Sequence, residues 1–143
     1  MKFFMLGAMI MAANIVCAAT YTFESWPENG KHCEFSFDSA PTINWDGTSE
    51  LPISFLNVQS IFNDWIKVNL KPTEEAHPTS FDLATVAADG LDTSYWVFKV
   101  RFVVFKNGQP SAMFNRRVAI DMAGKVIEAQ CGIELGGALP IRI

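Results

Sequence analysis

The side chains best suited to chemistry in this sequence are its two histidines, His32 and His77. A catalytic arrangement in which a histidine activates a serine or cysteine nucleophile must use one of them. His32 directly precedes Cys33, which we expect to be in a disulfide, and His77 lies in a polar, proline-bounded segment typical of solvated surface. A metal site formed by His77 with Glu74 and Glu75 lacks a second histidine or a free cysteine at ligand spacing. We therefore predict no catalytic residue, no metal site and no cofactor, and favour a role other than catalysis.

Positive charges are concentrated on one predicted hairpin. Lys2 apart, the sequence has ten lysines and arginines, and four of them lie there: Lys99, Arg101, Arg116 and Arg117. The alternation of side chains along a strand places Lys99 and Arg101 on one face. Arg117 is the better candidate to join them, because Arg116 shares its phase with apolar residues of its own strand. The pattern predicts a cluster of three cations.

Two interpretations of this cluster are open. In the first it is an exposed docking patch for a protein with an acidic surface, and Tyr95 adds a residue type that often anchors interfaces. The candidate partner-binding residues are then Tyr95, Lys99, Arg101 and Arg117, with Val97 and Phe105 giving apolar contact beside the charges. In the second it is a salt-bridge ladder on a solvated face, with Glu128 as the counter-charge.

The strand that carries these charges, residues 95–105, is rich in aromatic and β-branched side chains. Its even-numbered residues form an unbroken apolar face: Trp96, Phe98, Val100, Phe102 and Val104. Turn residues at 106–110 reverse the chain, and a second strand is predicted from Ala112 to Asp121. After a turn at 122–124, a third runs from Lys125 to Cys131. The pattern predicts a three-stranded antiparallel meander.

One helix is predicted from Ser54 to Lys71, ended by Pro72. Its apolar residues recur at helical spacing: Val58, Ile61, Phe62, Trp65 and Ile66. We expect residues 72–80 to form a polar loop and residues 81–87 a first strand. The predicted fold class is α+β, with one amphipathic helix packed on a curved antiparallel sheet and followed by a β-meander.

The N-terminus indicates export. Residues 1–19 read as a signal peptide with a basic start, an apolar run and small residues for cleavage, which leaves residues 20–143 as a single α+β domain. Two alternatives stay open: a retained anchor, and a lipoprotein lipidated at Cys17. The leading interpretation is a secreted or periplasmic protein without stable membrane insertion after cleavage. The formal charge of −4 argues against binding nucleic acid.

Cleavage after residue 19 leaves two cysteines, Cys33 and Cys131. In an exported protein an even pair of cysteines is most simply a disulfide. Alternation places Cys33 on the inward face of a short strand, together with Phe35 and Phe37. The alternative is a pair of buried free thiols.

The order of helix and strands resembles cystatin-like α+β folds and, more closely, PepSY-type domains of exported bacterial proteins. The corresponding residues are Trp96 to Phe102 and the hairpin Val118 to Ile127, and the resemblance covers about residues 53–131. Both cysteines and the insertion at 106–111 depart from the pattern. The resemblance implies a non-catalytic binding or inhibitory module, and it carries over no functional residue.

We therefore expect a small exported module that docks a macromolecular partner. The alternative is a small-ligand carrier or a hydrolase with a pocket between helix and sheet. A deep pocket there, lined by polar groups and a histidine, would favour the alternative. A filled core and an exposed face carrying arginine and tyrosine would favour binding.

Overall fold

The computed structural model describes residues 19–111 and 116–134 of the 143-residue chain. Residues 1–18 of the predicted signal peptide and the start of the predicted second strand, residues 112–115, lie outside this part. One helix and eight strands are described: β1 (Tyr21–Glu28), β2 (Lys31–Phe37), α1 (Phe55–Asn69), β3 (Glu74–Ala87), β4 (Ser94–Lys106), β5 (Gln109–Pro110), β6 (Arg116–Asp121), β7 (Val126–Glu128) and β8 (Gln130–Glu134). The predicted α+β class is confirmed. In the described residues, no helix has the length and hydropathy needed to span a bilayer.

The strands form two antiparallel sheets rather than one. The larger sheet has the order β3-β4-β6-β7, with β5 paired to the end of β4. The smaller sheet has the order β1-β2-β8. The second sheet has no counterpart in the sequence-based prediction, which assigned a single short strand to residues 33–37.

The hairpin of β1 and β2 forms two of the three strands of the smaller sheet. Its two-residue turn is Asn29-Gly30, and both residues have positive φ, 51° and 74°. This is the backbone that a type I′ hairpin turn requires, and asparagine and glycine reach it at low cost. The bulge between Thr22 and Glu24 shifts the register of β1 against β2.

The α1 helix begins where its sequence predicts. The Ser54 hydroxyl accepts a hydrogen bond from the Asn57 backbone N–H at 3.2 Å, which satisfies one of the donors left unpaired in the first turn. Val58 and Phe62 are buried in one core with apolar side chains of β4 and β6. The Phe62 ring meets Phe102 at a centroid distance of 5.3 Å in an edge-to-face arrangement.

The central strand β4 is buried on both faces around Val97 and Phe98. Phe98 belongs to the core shared with α1, whereas its neighbour Val97 belongs to a second core with Phe35 and Phe37 of β2. The expectation that the odd-numbered face of β4 is open to solvent is therefore wrong for its first half. The smaller sheet packs on that face and removes its apolar side chains from water.

Strand β3 begins at Glu74, so the polar loop expected at 72–80 is wrong. It pairs with β4 from Glu74, opposite Lys106, to Ala87, opposite Ser94. The strand lies at the edge of the larger sheet, where a proline is tolerated because one side of the strand has no ladder to complete. A bulge between Pro78 and Ser80 shifts the register at this point.

The predicted third strand of the meander is divided between the two sheets. Its first part, β7, pairs with β6, and after Ala129 the chain continues as β8 and pairs with β2. In that register Cys131 lies opposite Cys33, and the structure contains the predicted disulfide, with 4.1 Å between the Cα atoms. The bond therefore holds β8 to the hairpin of β1 and β2.

A polar loop fixes Trp45 against the start of β4. The Trp45 and Trp96 rings meet edge to face at 4.8 Å, and the Asn44 side chain accepts a hydrogen bond from the Trp96 backbone N–H. Asp46 accepts hydrogen bonds from the backbone N–H groups of Thr48 and Ser49 at 2.8 and 2.7 Å. These bonds favour the carboxylate and lower the pKa of Asp46 from 3.8 to about 2.

Removal of the disulfide should lower stability without a large loss of packing. In Cys131→Ala we expect the free energy of unfolding to fall by about 2–4 kcal/mol, because the unfolded chain regains the freedom of a closed loop spanning 98 residues. Cys131 is exposed, so the truncation itself removes little buried surface. Urea denaturation checks this value, and reduced wild-type protein should match the variant. Two free thiols on alkylation of the unreduced, unfolded protein would contradict the bond.

The Asp46 loop should respond to acid. A carboxyl whose folded pKa is depressed contributes stability above its unfolded pKa, and this contribution is lost as the pH falls through the folded value. We therefore expect the amide resonances of Thr48 and Ser49 to report a titration with a midpoint near pH 2. In Asp46→Asn this acid transition should be absent, and its persistence would assign the transition to another group.

Candidate partner-binding site

A pocket of about 180 Å³ opens where α1, the larger sheet and the smaller sheet meet. Its main lining side chains are two tryptophans, a phenylalanine and two arginines: Trp26, Trp65, Phe102, Arg116 and Arg117. Trp65 comes from the helix layer, Trp26 from the smaller sheet and the remaining three from the larger sheet. The pocket thus lies at the shared rim of the two hydrophobic cores.

The pocket opens at this point because β7 is short. Strand β7 pairs with β6 only as far as Val118, which lies opposite Glu128. Arg116 and Arg117 precede Val118, so they lie beyond the end of that pairing. There the chain turns through Ala129 toward the smaller sheet, and Ala129 lines the pocket.

The two arginines point to opposite sides of β6. The Arg116 guanidinium lies 5.7 Å from the centre of the Phe102 ring, on the side of α1. The Arg117 guanidinium lies 4.2 Å from the centre of the Trp26 ring, on the side of the smaller sheet. Both are cation–π arrangements, which are favourable when the cation is partly desolvated.

Arg117 also belongs to an ionic cluster between the sheets. Its Nη1 atom lies 3.3 Å from Oε1 of Glu24, and the Lys99 ammonium contacts the other oxygen of the same carboxylate. The three side chains are between 23% and 27% exposed, so water screens their interaction only in part. The cluster of Glu24, Lys99 and Arg117 joins the two sheets electrostatically and carries one net positive charge.

Two further carboxylates are engaged by the tryptophans. The Trp26 indole N–H donates to Glu28 at 3.0 Å, and the Trp65 indole N–H donates to Glu128 at 2.7 Å. Arg116 is half-buried and has no salt bridge within the described side chains. The cation without a counter-charge on the helix side of the pocket is therefore Arg116.

The structure distributes the predicted docking residues over two environments. Lys99 and Arg117 come together, but around Glu24 and under the smaller sheet, so the expectation of one exposed patch is wrong for both. Tyr95 is half-buried, and its ring meets Phe37 edge to face at 5.7 Å. Arg101 is exposed and lies opposite Arg117 in the register of β4 and β6. Whether these residues dock a partner stays a prediction.

The counter-charge of the cluster also differs from the expected one. Glu128 was expected to pair with the arginines, but it accepts from Trp65, and Glu24 takes its place. Glu24 precedes Arg117 by 93 residues, and no periodicity in the sequence connects them. The contact between Trp26 and Glu28 could have been predicted from the sequence, because residues two apart on a strand lie on the same face.

The histidines each lie beside one carboxylate. His32 is 3.8 Å from Glu34, and His77 is 3.5 Å from Glu75. Within the described residues, one group has metal-ligand spacing, and it combines Glu28 with the two bonded cysteines. Sulfurs held in a disulfide offer no thiolate to a metal.

No family model matches the chain, and neither a curated protein nor a solved structure does. The resemblance to PepSY-type and cystatin-like domains therefore stays an expectation drawn from the pattern of residues.

The ionic cluster should contribute to stability, whereas Arg101 should not. We expect Arg117→Met to lower the free energy of unfolding by about 1–3 kcal/mol, because it removes a charged hydrogen bond to Glu24 and the contact with Trp26. Arg101→Met, the matched control on an exposed side chain, should change it by less than about 0.5 kcal/mol. Chemical denaturation of the two variants checks this, and equal effects would show that Arg117 belongs to a solvated ladder.

Proposed function

We propose that this protein is an exported, non-catalytic binding or inhibitory module that docks a macromolecular partner with an acidic surface. The observation that carries the proposal is the pocket in which two arginines and two tryptophans meet. Tryptophan and arginine are the residue types most enriched among the side chains that dominate protein interfaces. Here they converge from three separate elements, β1, α1 and β6.

The packing under the helix also supports binding over the alternative. A carrier or hydrolase of the alternative kind needs a cavity between helix and sheet. That space is filled by buried side chains, with Val58 and Phe62 against Phe102. The hollow at the rim of α1, of about 390 Å³, is lined by residues such as Ile53 and Ser60 and contains no histidine.

The charge around the pocket suits an acidic partner. Arg101 is exposed beside Arg117 in the sheet register, and Arg116 lies in the pocket wall. We call Arg101 and Arg116 the arginine surface: neither has a salt bridge within the described residues, and Arg101 shares the face of Arg117 while Arg116 points toward α1. Such a surface on a protein with a formal charge of −4 would steer an acidic partner to one place, and the effect would weaken with salt.

The test uses the disulfide-bonded protein, immobilised, to capture binding proteins from the envelope or secreted fraction. The association rate of each captured protein is then measured. The informative variant is Arg101→Glu with Arg116→Gln. Its control, Lys71→Glu with Lys106→Gln, makes the same change in net charge at exposed lysines. We expect the first variant to associate at least fivefold more slowly and the control to associate like wild type.

Added salt should slow wild-type association and narrow the difference between the variants. Arg117 is left unchanged because its loss would weaken the ionic cluster. The proposal is contradicted if the two variants bind alike, since the arginine surface would then be ordinary solvated charge.

A further inference from the structure

We infer that the pocket recognises an acidic peptide segment in which an aromatic side chain and a carboxylate are two residues apart. This inference rests on the proposed function and names the class of partner. It follows from three properties of the pocket: its unmatched charge, its size and its aromatic walls.

The charge of Arg116, which has no salt bridge within the described residues, favours a peptide that carries one carboxylate. Arg116 is half-buried over Phe102, and the nearby acidic side chains are already engaged. Within the described residues neither Glu28 nor Glu128 forms a salt bridge with the guanidinium, and each accepts a hydrogen bond from an indole N–H instead. A partly desolvated cation gains most from a carboxylate, which can accept two parallel hydrogen bonds from one guanidinium.

The size of the pocket and its aromatic walls favour a peptide that inserts one aromatic side chain. Pockets that hold whole drug-sized ligands have volumes of roughly 300–1,000 Å³. At about 180 Å³ this one suits a single large side chain instead. The rings of Trp26 and Trp65 offer an aromatic guest the offset and edge-to-face contacts that such rings prefer.

Spacing follows from the geometry of an extended peptide. Side chains two residues apart lie on the same face of a strand, roughly 6–7 Å from each other, whereas adjacent ones point to opposite faces. Arg116 and the two tryptophans line one pocket, so the aromatic group and the carboxylate must come from one face. Glu28 in the pocket wall and Glu128, which is bound to Trp65, would repel a polyanion more strongly than a single carboxylate, which disfavours nucleic acid as the occupant.

The test uses three acetylated, amidated peptides and the indole N–H signals of the ¹⁵N-labelled, disulfide-bonded protein. The first peptide is Ser-Gly-Phe-Ser-Glu-Gly-Ser. The second replaces Glu by Gln and the third replaces Phe by Ala. We expect the first peptide to shift the signals of Trp26 and Trp65, and to leave those of Trp45 and Trp96 in place. Trp→Phe substitutions assign the four signals.

The neutral and alanine peptides should each bind at least fivefold more weakly than the first. In Arg116→Gln the advantage of Glu over Gln should disappear, while the control Lys106→Gln, on an exposed lysine outside the pocket, should keep it. The comparison of the peptides on wild-type protein needs no variant, so it holds even if Arg116→Gln does not fold. Equal binding of the Glu and Gln peptides, or shifts at Trp45 and Trp96, would overturn the inference.

The two proposals can fail separately. Suppose that the first peptide binds as expected, but the captured proteins associate equally well with wild type and with the Arg101→Glu, Arg116→Gln variant. The peptide inference is then supported and the proposed function is contradicted. Suppose instead that the association rate of the captured proteins depends on the arginine surface, but the three peptides bind alike. The proposed function is then supported and the peptide inference is contradicted.

Discussion

The structure depends on a central strand, β4, whose first half is buried on both faces. Val97 and Phe98 are neighbours in the chain, yet they belong to different hydrophobic cores. A strand of this kind must be covered twice, since each exposed apolar face would cost the free energy of its contact with water. The α1 helix covers one face and the smaller sheet covers the first half of the other. The three layers of the protein follow from this requirement.

The pocket forms where the chain crosses at Ala129 from the larger sheet to the smaller one. Because β7 stops opposite Val118, the start of β6 pairs with β4 but has no strand of the described residues on its other side, and the chain crosses to pair with β2. The disulfide fixes that crossing by joining Cys131 to Cys33. The pocket therefore lies at a junction of three packed elements, a common location for binding sites. Its wall residues come from α1 and the strands, except for Ala129 between β7 and β8.

The positive charges of the hairpin divide into two physical roles. Lys99 and Arg117 share the carboxylate of Glu24 between the sheets and so belong to the interior junction. Arg101 and Arg116 have no such partner within the described residues, and of these two only Arg116 lines the pocket. A count of charges along one hairpin could not separate these roles, because the separation is made by a strand more than 90 residues earlier.

The sequence by itself determined the local elements. The spacing of Val58 and Phe62 predicted α1 and its apolar face. The alternation along residues 95–105 predicted β4, and the cysteine count predicted the disulfide. Each of these is set by neighbours along the chain. The tertiary structure alone decided the second sheet, the division of the last strand at Ala129 and the pairing of Glu24 with Arg117. These depend on contacts between residues far apart in sequence, and periodicity carries no information about which distant face will cover an apolar strand.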